Sequence, residues 1–245
     1  MGLYAQSPGQ VDEKQCVWYH TMDLPGLGEV AGQWDLRAGI DDYLGGVDIS
    51  GERVLEIGPA TGYVTVELER RGAEVVAAEV TDERGWDFVP QAGLDMEQVR
   101  ADRQAHIADL KNTWWFIQRA THSHAQAYYG DIESLPPELG RFDSTFALAV
   151  LLHTRCPLAI LEGAAKLTDH RMIVTDLVNP ALGEAPVCAL CPSKENGVWD
   201  TWWSFTPAFF VQPLGVLGFT EPVVTFHTQP TKGIDIQFFT VVAER

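Results

Sequence analysis

Two glutamates and a glycine-bearing turn have the residue types and spacing of a site for a nucleotide-like ligand. Glu56 lies in an apolar run, the turn GPATG follows from Gly58 to Gly62, and Glu79 closes the next apolar run. A dinucleotide site needs the pattern G-x-G-x-x-G, so that bare amides face a pyrophosphate. Here only two glycines are present, and a carboxylate at position 56 repels phosphate and attracts an ammonium group. The pattern therefore favours a positively charged nucleoside that carries an amino acid over NAD.

These residues would be positioned by strands that alternate with helices. Strand patterns occur at residues 53–58, 74–80, 126–129, 142–149, 171–177, 222–228 and 234–243. Helical spacing occurs at residues 62–71, about 96–120, 157–167 and 206–217, with a short helix-like stretch at 36–44. The alternation predicts an α/β fold with a seven-stranded, mostly parallel sheet and helices on both faces. The turn QPTKG at residues 229–233 predicts that the last two strands form a C-terminal antiparallel hairpin.

The chain is expected to form one domain with a covering extension. Residues 1–50, rich in aromatic residues and glycine, are predicted to fold as a lid over the active site. Residues 51–245 are predicted to form the main domain, with insertions at about 81–125 and 179–203. Because open α/β sheets hold ligands at long connections beyond the carboxyl ends of their strands, we expect both insertions to lie beside the site.

The charge balance bears on which partners the protein can have. The 245 residues include 17 Lys and Arg against 34 Asp and Glu, a formal charge of −17. This field repels polyphosphate, which disfavours nucleic acid and anionic membrane surfaces as partners. No apolar run approaches the roughly 18 residues of a membrane span, and the first residues do not resemble a signal peptide. We therefore expect a cytoplasmic protein, either a monomer or a homodimer.

The cysteines predict neither a disulfide framework nor a metal site. Four cysteines are too few to hold a chain of this length together through disulfides. Cys188 and Cys191 supply two of the four ligands that a structural zinc needs, and no second pair has suitable spacing. We expect no bound metal.

The order of these acids and turns resembles that of the class I S-adenosylmethionine-dependent methyltransferases over about residues 50–245. Residues 54–62 (VLEIGPATG) match their first motif, Glu79 matches the acid that closes the second strand, and residues 130–132 (GDI) match the acid after the third. Residues 142–143 (FD) and 151–157 (LLHTRCP) are similar to the fourth motif and the segment that follows it. The resemblance implies a Rossmann-like sheet and S-adenosyl-L-methionine as the cofactor.

The resemblance also implies roles for residues of the first two strands. Glu56 is expected to contact the α-amino group of the cofactor beside the turn formed by Gly58 and Gly62. Glu79 is expected to accept hydrogen bonds from both ribose hydroxyls.

Further cofactor contacts are expected from the third and fourth strands. Asp131 is expected to accept from the adenine amine, and the Ile132 amide to donate to a ring nitrogen. Apolar cover for the adenine is expected from Val80, Ile132 or the strand end that runs from Ala147 to Val150. Arg37 is a candidate clamp for a carboxylate of the cofactor or the acceptor, or a partner in a surface salt bridge.

Two histidines are candidate catalytic bases. Methyl transfer depends mainly on positioning of the nucleophile, and a base with a pKa near the working pH assists a hydroxyl or a protonated amine. His153 lies just past the fourth strand, and His20 lies in the covering segment; packing is the alternative role for each. The acceptor is expected to contact aromatic rings, which suit flat or cationic molecules: Trp18, Tyr19, Trp34, Trp115 and Trp203.

The function predicted by this resemblance is methyl transfer to an oxygen or nitrogen of a small-molecule acceptor. Residues 18–20 (WYH), 34–37 (WDLR) and 201–203 (TWW) resemble a bacterial group related to the tRNA wobble-uridine carboxymethyltransferases. A tRNA-modifying methyltransferase or carboxymethyltransferase is therefore the first alternative. A cofactor-binding protein without catalysis is the second, and a dehydrogenase, for which the glycine pattern is wrong, is the weakest.

Overall fold

The computed structural model describes residues 2–9, 11–83 and 87–245. The strands are β1 (Met22–Leu24), β2 (Gly28–Val30), β3 (Arg53–Ile57), β4 (Glu74–Glu79), β5 (Gln126–Tyr129), β6 (Phe142–Leu148), β7 (Thr168–Leu177), β8 (Cys188–Leu190), β9 (Trp203–Phe205), β10 (Thr220–Thr231) and β11 (Ile234–Glu244). The helices are α1 (Ile40–Tyr43), α2 (Tyr63–Arg70), α3 (Met96–Ala120), α4 (Pro157–Leu167) and α5 (Pro207–Val216).

A seven-stranded sheet in the order β10-β11-β7-β6-β3-β4-β5 forms the centre of the fold. Strands β3 to β7 pair in parallel, while β11 is antiparallel to both β7 and β10. This arrangement confirms the predicted Rossmann-like sheet with its C-terminal antiparallel hairpin. The chain leaves β3 for β4 and β5 on one side and returns to β6 and β7 on the other. A crevice therefore opens between β3 and β6, at the carboxyl ends of the strands.

Alternate residues of the parallel strands pack on opposite faces of the sheet, as the period of two requires. Leu55 and Met172 face a core shared with α4 and α5. Val54 and Ile173 face a second core shared with α1, α2 and α3. Helices thus cover both faces, and the buried strands fix where each strand end meets the crevice.

The N-terminal segment is hydrogen-bonded to the far end of the β10–β11 hairpin. The Asp35 amide donates to the Pro230 carbonyl at 3.1 Å, and the Thr231 hydroxyl donates to the Gln33 carbonyl at 2.8 Å. The Gln229 side-chain amide, which is buried, donates to the Gly39 carbonyl at 2.9 Å. These bonds hold residues 33–39 against the edge of the sheet above the crevice.

The two predicted insertions contact each other. Within the first, residues 84–86 lie outside the described residues, and α3 occupies most of the rest. The second carries the small β8–β9 sheet. The Val89 amide donates to the Trp199 carbonyl at 2.7 Å, and the Trp202 indole donates to the Asp87 carbonyl at 2.6 Å. The first insertion lines the crevice through Asp87 and α3, and the second packs against it from outside the lining.

Some element ends differ from those predicted. Strand β7 begins at Thr168, directly after α4, because the Thr168 hydroxyl donates to the Ala164 carbonyl of that helix at 2.8 Å and closes its last turn. The stretch 36–44 divides into a 3₁₀ turn, Arg37–Gly39, and α1. Within the described residues, no helix combines the length and the apolar character that crossing a bilayer requires.

Candidate active site

A cavity of about 280 Å³ lies at the carboxyl ends of β3 and β6, where the strand order reverses. Ligands of open α/β sheets bind at such a reversal, and small-molecule sites enclose about 300–1,000 Å³. The ends of β3, β4 and β5 line one half of the cavity. The ends of β6, β7 and β11, together with the N-terminal segment, line the other half.

The glycine turn after β3 forms part of the cavity wall. Gly58 has a φ of +72°, and a Cβ placed on it would lie 2.5 Å from Val150 Cγ2. Gly62 has a φ of +95° at the N-terminus of α2, where a Cβ would lie 2.8 Å from Trp114 Cδ1. Both positions require glycine, but only Gly58 lines the cavity. Gly62 serves the packing of Trp114 against the start of α2.

Glu56 is a buried carboxyl on the cavity wall. Its side chain is 2% exposed and accepts a hydrogen bond of 2.5 Å from the Thr65 hydroxyl, which in turn accepts from the Trp114 indole at 3.1 Å. Burial raises the pKa of Glu56 to about 8, while the Thr65 hydrogen bond opposes that rise and the nearby Glu79 adds to it. A cationic ligand would therefore meet a carboxyl whose charge is costly until it is paired.

Glu79 ends the neighbouring strand and also lines the cavity. One carboxylate oxygen accepts from the Val80 amide at 2.8 Å. Burial raises the pKa of Glu79, whereas the Val80 hydrogen bond and the Lys111 ammonium lower it. Lys111 is itself paired with Asp82 at 2.5 Å. The backbone bond fixes one carboxylate oxygen at the strand end, as a short and rigid hydrogen-bond acceptor requires.

The structure separates the acids that follow β5. Asp131 is exposed, and its carboxylate accepts from the Glu133 amide at 3.0 Å instead of reaching the cavity. Ile132 is buried on the cavity wall as predicted, and Glu133 lines the cavity beside it. Asp131 does not line the cavity, and its expected contact with the adenine amine stays a prediction.

The other half of the cavity has an interlocked aromatic wall. Trp34 and Tyr43 both lie edge-on to the Phe238 ring, with ring centroids 5.5 Å and 5.6 Å away. Tyr19 lies edge-on to His20 at 4.7 Å, and its backbone carbonyl accepts from the Trp34 amide at 3.0 Å. All five residues line the cavity. Each ring is held by its neighbours, so this wall is fixed in shape.

His153 lies where a base is expected. It ends the 3₁₀ turn Leu151–His153 after β6 and lines the cavity. Its Nδ1 lies 2.6 Å from the Asp200 carbonyl oxygen. Because a carbonyl only accepts, Nδ1 carries the proton, and Nε2 holds the lone pair of the neutral ring. Burial lowers the pKa of His153, with the Asp200 carbonyl opposing that change.

His20 also lines the cavity, but its environment makes it a weak base. The ring is 7% exposed, and burial lowers its pKa to about 3. Nδ1 is fully buried and has no hydrogen-bond partner among the described residues. The ring is therefore neutral at physiological pH.

Several predicted site residues lie away from the cavity lining. Arg37 does not line the cavity and forms ion pairs with Asp23, Glu29 and Asp35 at 2.7–3.0 Å. These contacts are those of a surface salt bridge, the alternative to a carboxylate clamp. Ala147 is fully buried within β6, and residues 148–150 beyond it reach the cavity instead. Three of the predicted acceptor-binding rings pack elsewhere, against Phe116, Trp114 and the core near β9: Trp18, Trp115 and Trp203.

Other lining residues were not predicted from the sequence. Tyr43 and Phe238 lie in α1 and β11, where they follow the same apolar pattern as core residues. His106 lines the cavity from α3, and its spacing from Leu110 on the same helix face was the available signal. Glu133 was detectable only as an acid two places after Asp131.

Comparison with known proteins was made by sequence and by structure. No protein-family model matches the chain. The magnesium-protoporphyrin O-methyltransferase of Rhodobacter capsulatus is 28% identical over 113 residues, which are 45% of this chain and 37% of that protein. The matched part thus spans little more than a third of that relative's length.

Several solved structures share the fold. The N-terminal domain of EvdMO1, with S-adenosylhomocysteine bound, aligns with a TM-score of 0.53 and 19% identity over 95% of this chain and 93% of that one. A methyltransferase from Methanosarcina mazei aligns with a TM-score of 0.56 and 15% identity over 86% of this chain and 98% of that one. A third structure is the Burkholderia thailandensis 1,6-didemethyltoxoflavin-N1-methyltransferase with 1,6-didemethyltoxoflavin and S-adenosylhomocysteine bound. It aligns with a TM-score of 0.51 and 16% identity over 85% of this chain and 75% of that one. The chain has the class I methyltransferase fold, and these relatives give no support for the narrower resemblance to the wobble-uridine group.

Proposed function

We propose that this protein is an S-adenosylmethionine-dependent methyltransferase that acts on an oxygen or nitrogen of a small-molecule acceptor. The observation that carries the proposal is the pair of carboxyls, the buried Glu56 and the half-buried Glu79, at the ends of adjacent parallel strands on one cavity wall. The fold, the glycine turn between them and the cavity at the strand reversal all agree with that chemistry. The likeness to a magnesium-protoporphyrin O-methyltransferase supports it further.

The residues of the first half suit the cofactor in charge and shape. Glu56 would hold the α-amino group, and Glu79 would accept from the ribose hydroxyls, since both are acceptors that line the cavity. Gly58 leaves the space that a Cβ would fill. Val80 and Ile132 offer apolar cover to a nucleoside base. When bound, S-adenosylmethionine supplies an electrophilic methyl group on a sulfonium.

The other half would hold the acceptor and manage its proton. The rings of Trp34, Tyr43 and Phe238 would position a flat molecule, and positioning supplies most of the acceleration in methyl transfer. His153 Nε2 would take the proton of a hydroxyl or an amine, with the Asp200 carbonyl fixing the tautomer through Nδ1. The segment 1–50 would act as the cover of this half.

Calorimetry with S-adenosylhomocysteine tests the cofactor assignment. The wild type should bind, and Glu79→Gln should bind about 10- to 100-fold more weakly, because a hydrogen bond to a charged group contributes about 1.5–3 kcal/mol. Glu138→Gln, at an exposed acid beyond β5, is the matched control and should bind as the wild type does. Equal affinity of wild type and Glu79→Gln would overturn the assignment.

Activity is tested by transfer of a labelled methyl group to a panel of small hydroxyl and amine compounds. Transfer to any of them, lost in His153→Gln, is the expected result. Tight binding of S-adenosylhomocysteine without transfer to any acceptor would instead indicate a cofactor-binding protein without catalysis. Methylation of tRNA at low salt, with no small molecule accepted, would favour the RNA-modifying alternative.

A further inference from the structure

We infer that the acceptor is an uncharged or cationic ring compound that presents a hydroxyl or an amine, and that the aromatic half of the cavity rejects carboxylates. This inference rests on the proposed function and names the chemical class of its acceptor. It follows from the charges that face the cavity, from the contacts that already occupy the cations around it, and from the shape of the aromatic half.

The charged groups on the cavity wall are of one sign. Four acids line it, namely Glu56, Glu79, Asp87 and Glu133, while none of the described lining residues is Lys or Arg. An anionic acceptor would lose its hydration inside the cavity without gaining a cationic partner, which is costly for a buried carboxylate. Asp87 and Glu133 would add like-charge repulsion. Glu56, whose pKa burial raises to about 8, and Glu79 are the acids assigned to the cofactor.

Several cations on the elements around this wall already have partners, including Arg103, whose guanidinium lies over the Trp199 ring at 4.2 Å. The Lys111 ammonium pairs with Asp82 and lies 4.3 Å from the centre of the Tyr129 ring. The Arg155 guanidinium lies over the Trp202 ring at 4.9 Å. Arg37, the clamp expected from the sequence, pairs with three carboxylates away from the cavity. Recruiting any of them to an acceptor carboxylate would break these contacts.

The aromatic half fits a flat ring. Trp34, Tyr43 and Phe238 lock one another edge-on, and Phe238 also stacks on His227 with an angle of 4° between the rings. Such rings attract aromatic edges and cations alike. The buried, unpartnered Nδ1 of His20 lies in the same wall. That nitrogen is itself buried, so it is not a contact point for an acceptor.

The expected reaction balances without any further reactant. Methylation of a hydroxyl or an amine replaces its O–H or N–H bond with an O–C or N–C bond. It releases one proton to His153 or to water, and it leaves the electron pair of the broken S–C bond on sulfur.

The test compares three naphthalenes that share one ring system and carry a hydroxyl, an amino or a carboxylate group. Their affinities are measured by calorimetry with the full chain saturated with S-adenosylhomocysteine. The hydroxyl and amino compounds should bind at least about tenfold more tightly than the carboxylate. A carboxylate that binds as well as the others, or failure of all three to bind, would overturn the inference.

Two variants separate charge from shape. Asp87→Asn keeps an acceptor for the Arg155 amide, which Asp87 now binds at 2.9 Å. It should strengthen carboxylate binding several-fold and leave the hydroxyl compound unchanged, a pattern that a structural defect would not produce. Trp34→Ala should weaken all three compounds while S-adenosylhomocysteine still binds. Failure of the wild type to bind S-adenosylhomocysteine would count against the proposed function itself. A preference for the carboxylate compound, with S-adenosylhomocysteine still bound, would count only against the inferred acceptor class.

Discussion

Replacing Glu56 by glutamine is expected to stabilise the protein at alkaline pH while weakening its binding of S-adenosylhomocysteine. Burial raises the pKa of the Glu56 carboxyl from 4.5 to about 8. Between these two pH values the folded chain keeps a proton that the unfolded chain has lost. Because the unfolded state then binds fewer protons, the free energy of unfolding falls as pH rises through this window.

The magnitude follows from the two pKa values. They differ by about 3.5, and each pKa unit corresponds to about 1.4 kcal/mol, so the charged carboxyl costs the folded state about 5 kcal/mol above pH 8. Glutamine has no charge to bury, and its amide oxygen can still accept from the Thr65 hydroxyl. The variant should match the wild type near pH 4 and exceed its stability by several kcal/mol near pH 9.

Urea unfolding followed by circular dichroism at about pH 4, 7 and 9 measures this difference directly. Other titrating groups, such as Asp176, whose pKa burial raises to about 7, act equally on both proteins and cancel. Glu138→Gln should show no difference that depends on pH, because that acid is exposed. A Glu56→Gln difference that stays constant with pH, or a variant less stable than the wild type at pH 9, would refute the reasoning.

Three further substitutions test other parts of the structure. Gly58→Ala should lower the free energy of unfolding by about 2–4 kcal/mol, because it adds strain at positive φ and a clash with Val150. Adding Val150→Ala to the same chain should restore the part of that free energy lost to the clash and leave the part lost to strain. His153→Gln should lower kcat about 100-fold or more with unchanged affinity for S-adenosylhomocysteine, and an equal loss of affinity would contradict its role as base. Gln229→Leu removes the bond to the Gly39 carbonyl and should cost about 1–3 kcal/mol in urea unfolding. It should weaken acceptor binding more than S-adenosylhomocysteine binding, and an equal effect on both would contradict the division of the cavity into two halves.

The parts of the fold that the sequence predicts well are those with strong local signals. Asp95 accepts from the amides of Glu97 and Gln98 and marks the start of α3, and Pro157 marks the start of α4. Glu56 and Glu79 could be placed at the site because their strands are continuous apolar runs whose ends are clear. The three-residue strands β1, β2, β8 and β9 carry no such signal, since their pairing depends on tertiary contacts.

The aromatic half of the cavity could be predicted only in part, through Tyr19, His20 and Trp34, because its other residues have no local signature. Trp34 and Trp115 have the same side chain, yet one lines the cavity and the other is buried against Trp114. Phe238 reads as an ordinary core position of its strand. Asp131 illustrates the opposite difficulty, because its position after β5 is as expected while its side chain turns to the Glu133 amide.

The bonds between residues 33–39 and residues 229–231 join segments about 190 positions apart in the chain. The ribosome therefore releases the nucleoside half, built around β3, β4 and β5, long before the aromatic half has its supporting edge. We expect the latter to assemble late, since long-range pairing is slow. Pulsed hydrogen exchange during refolding should protect the amides of residues 53–79 before those of residues 33–39.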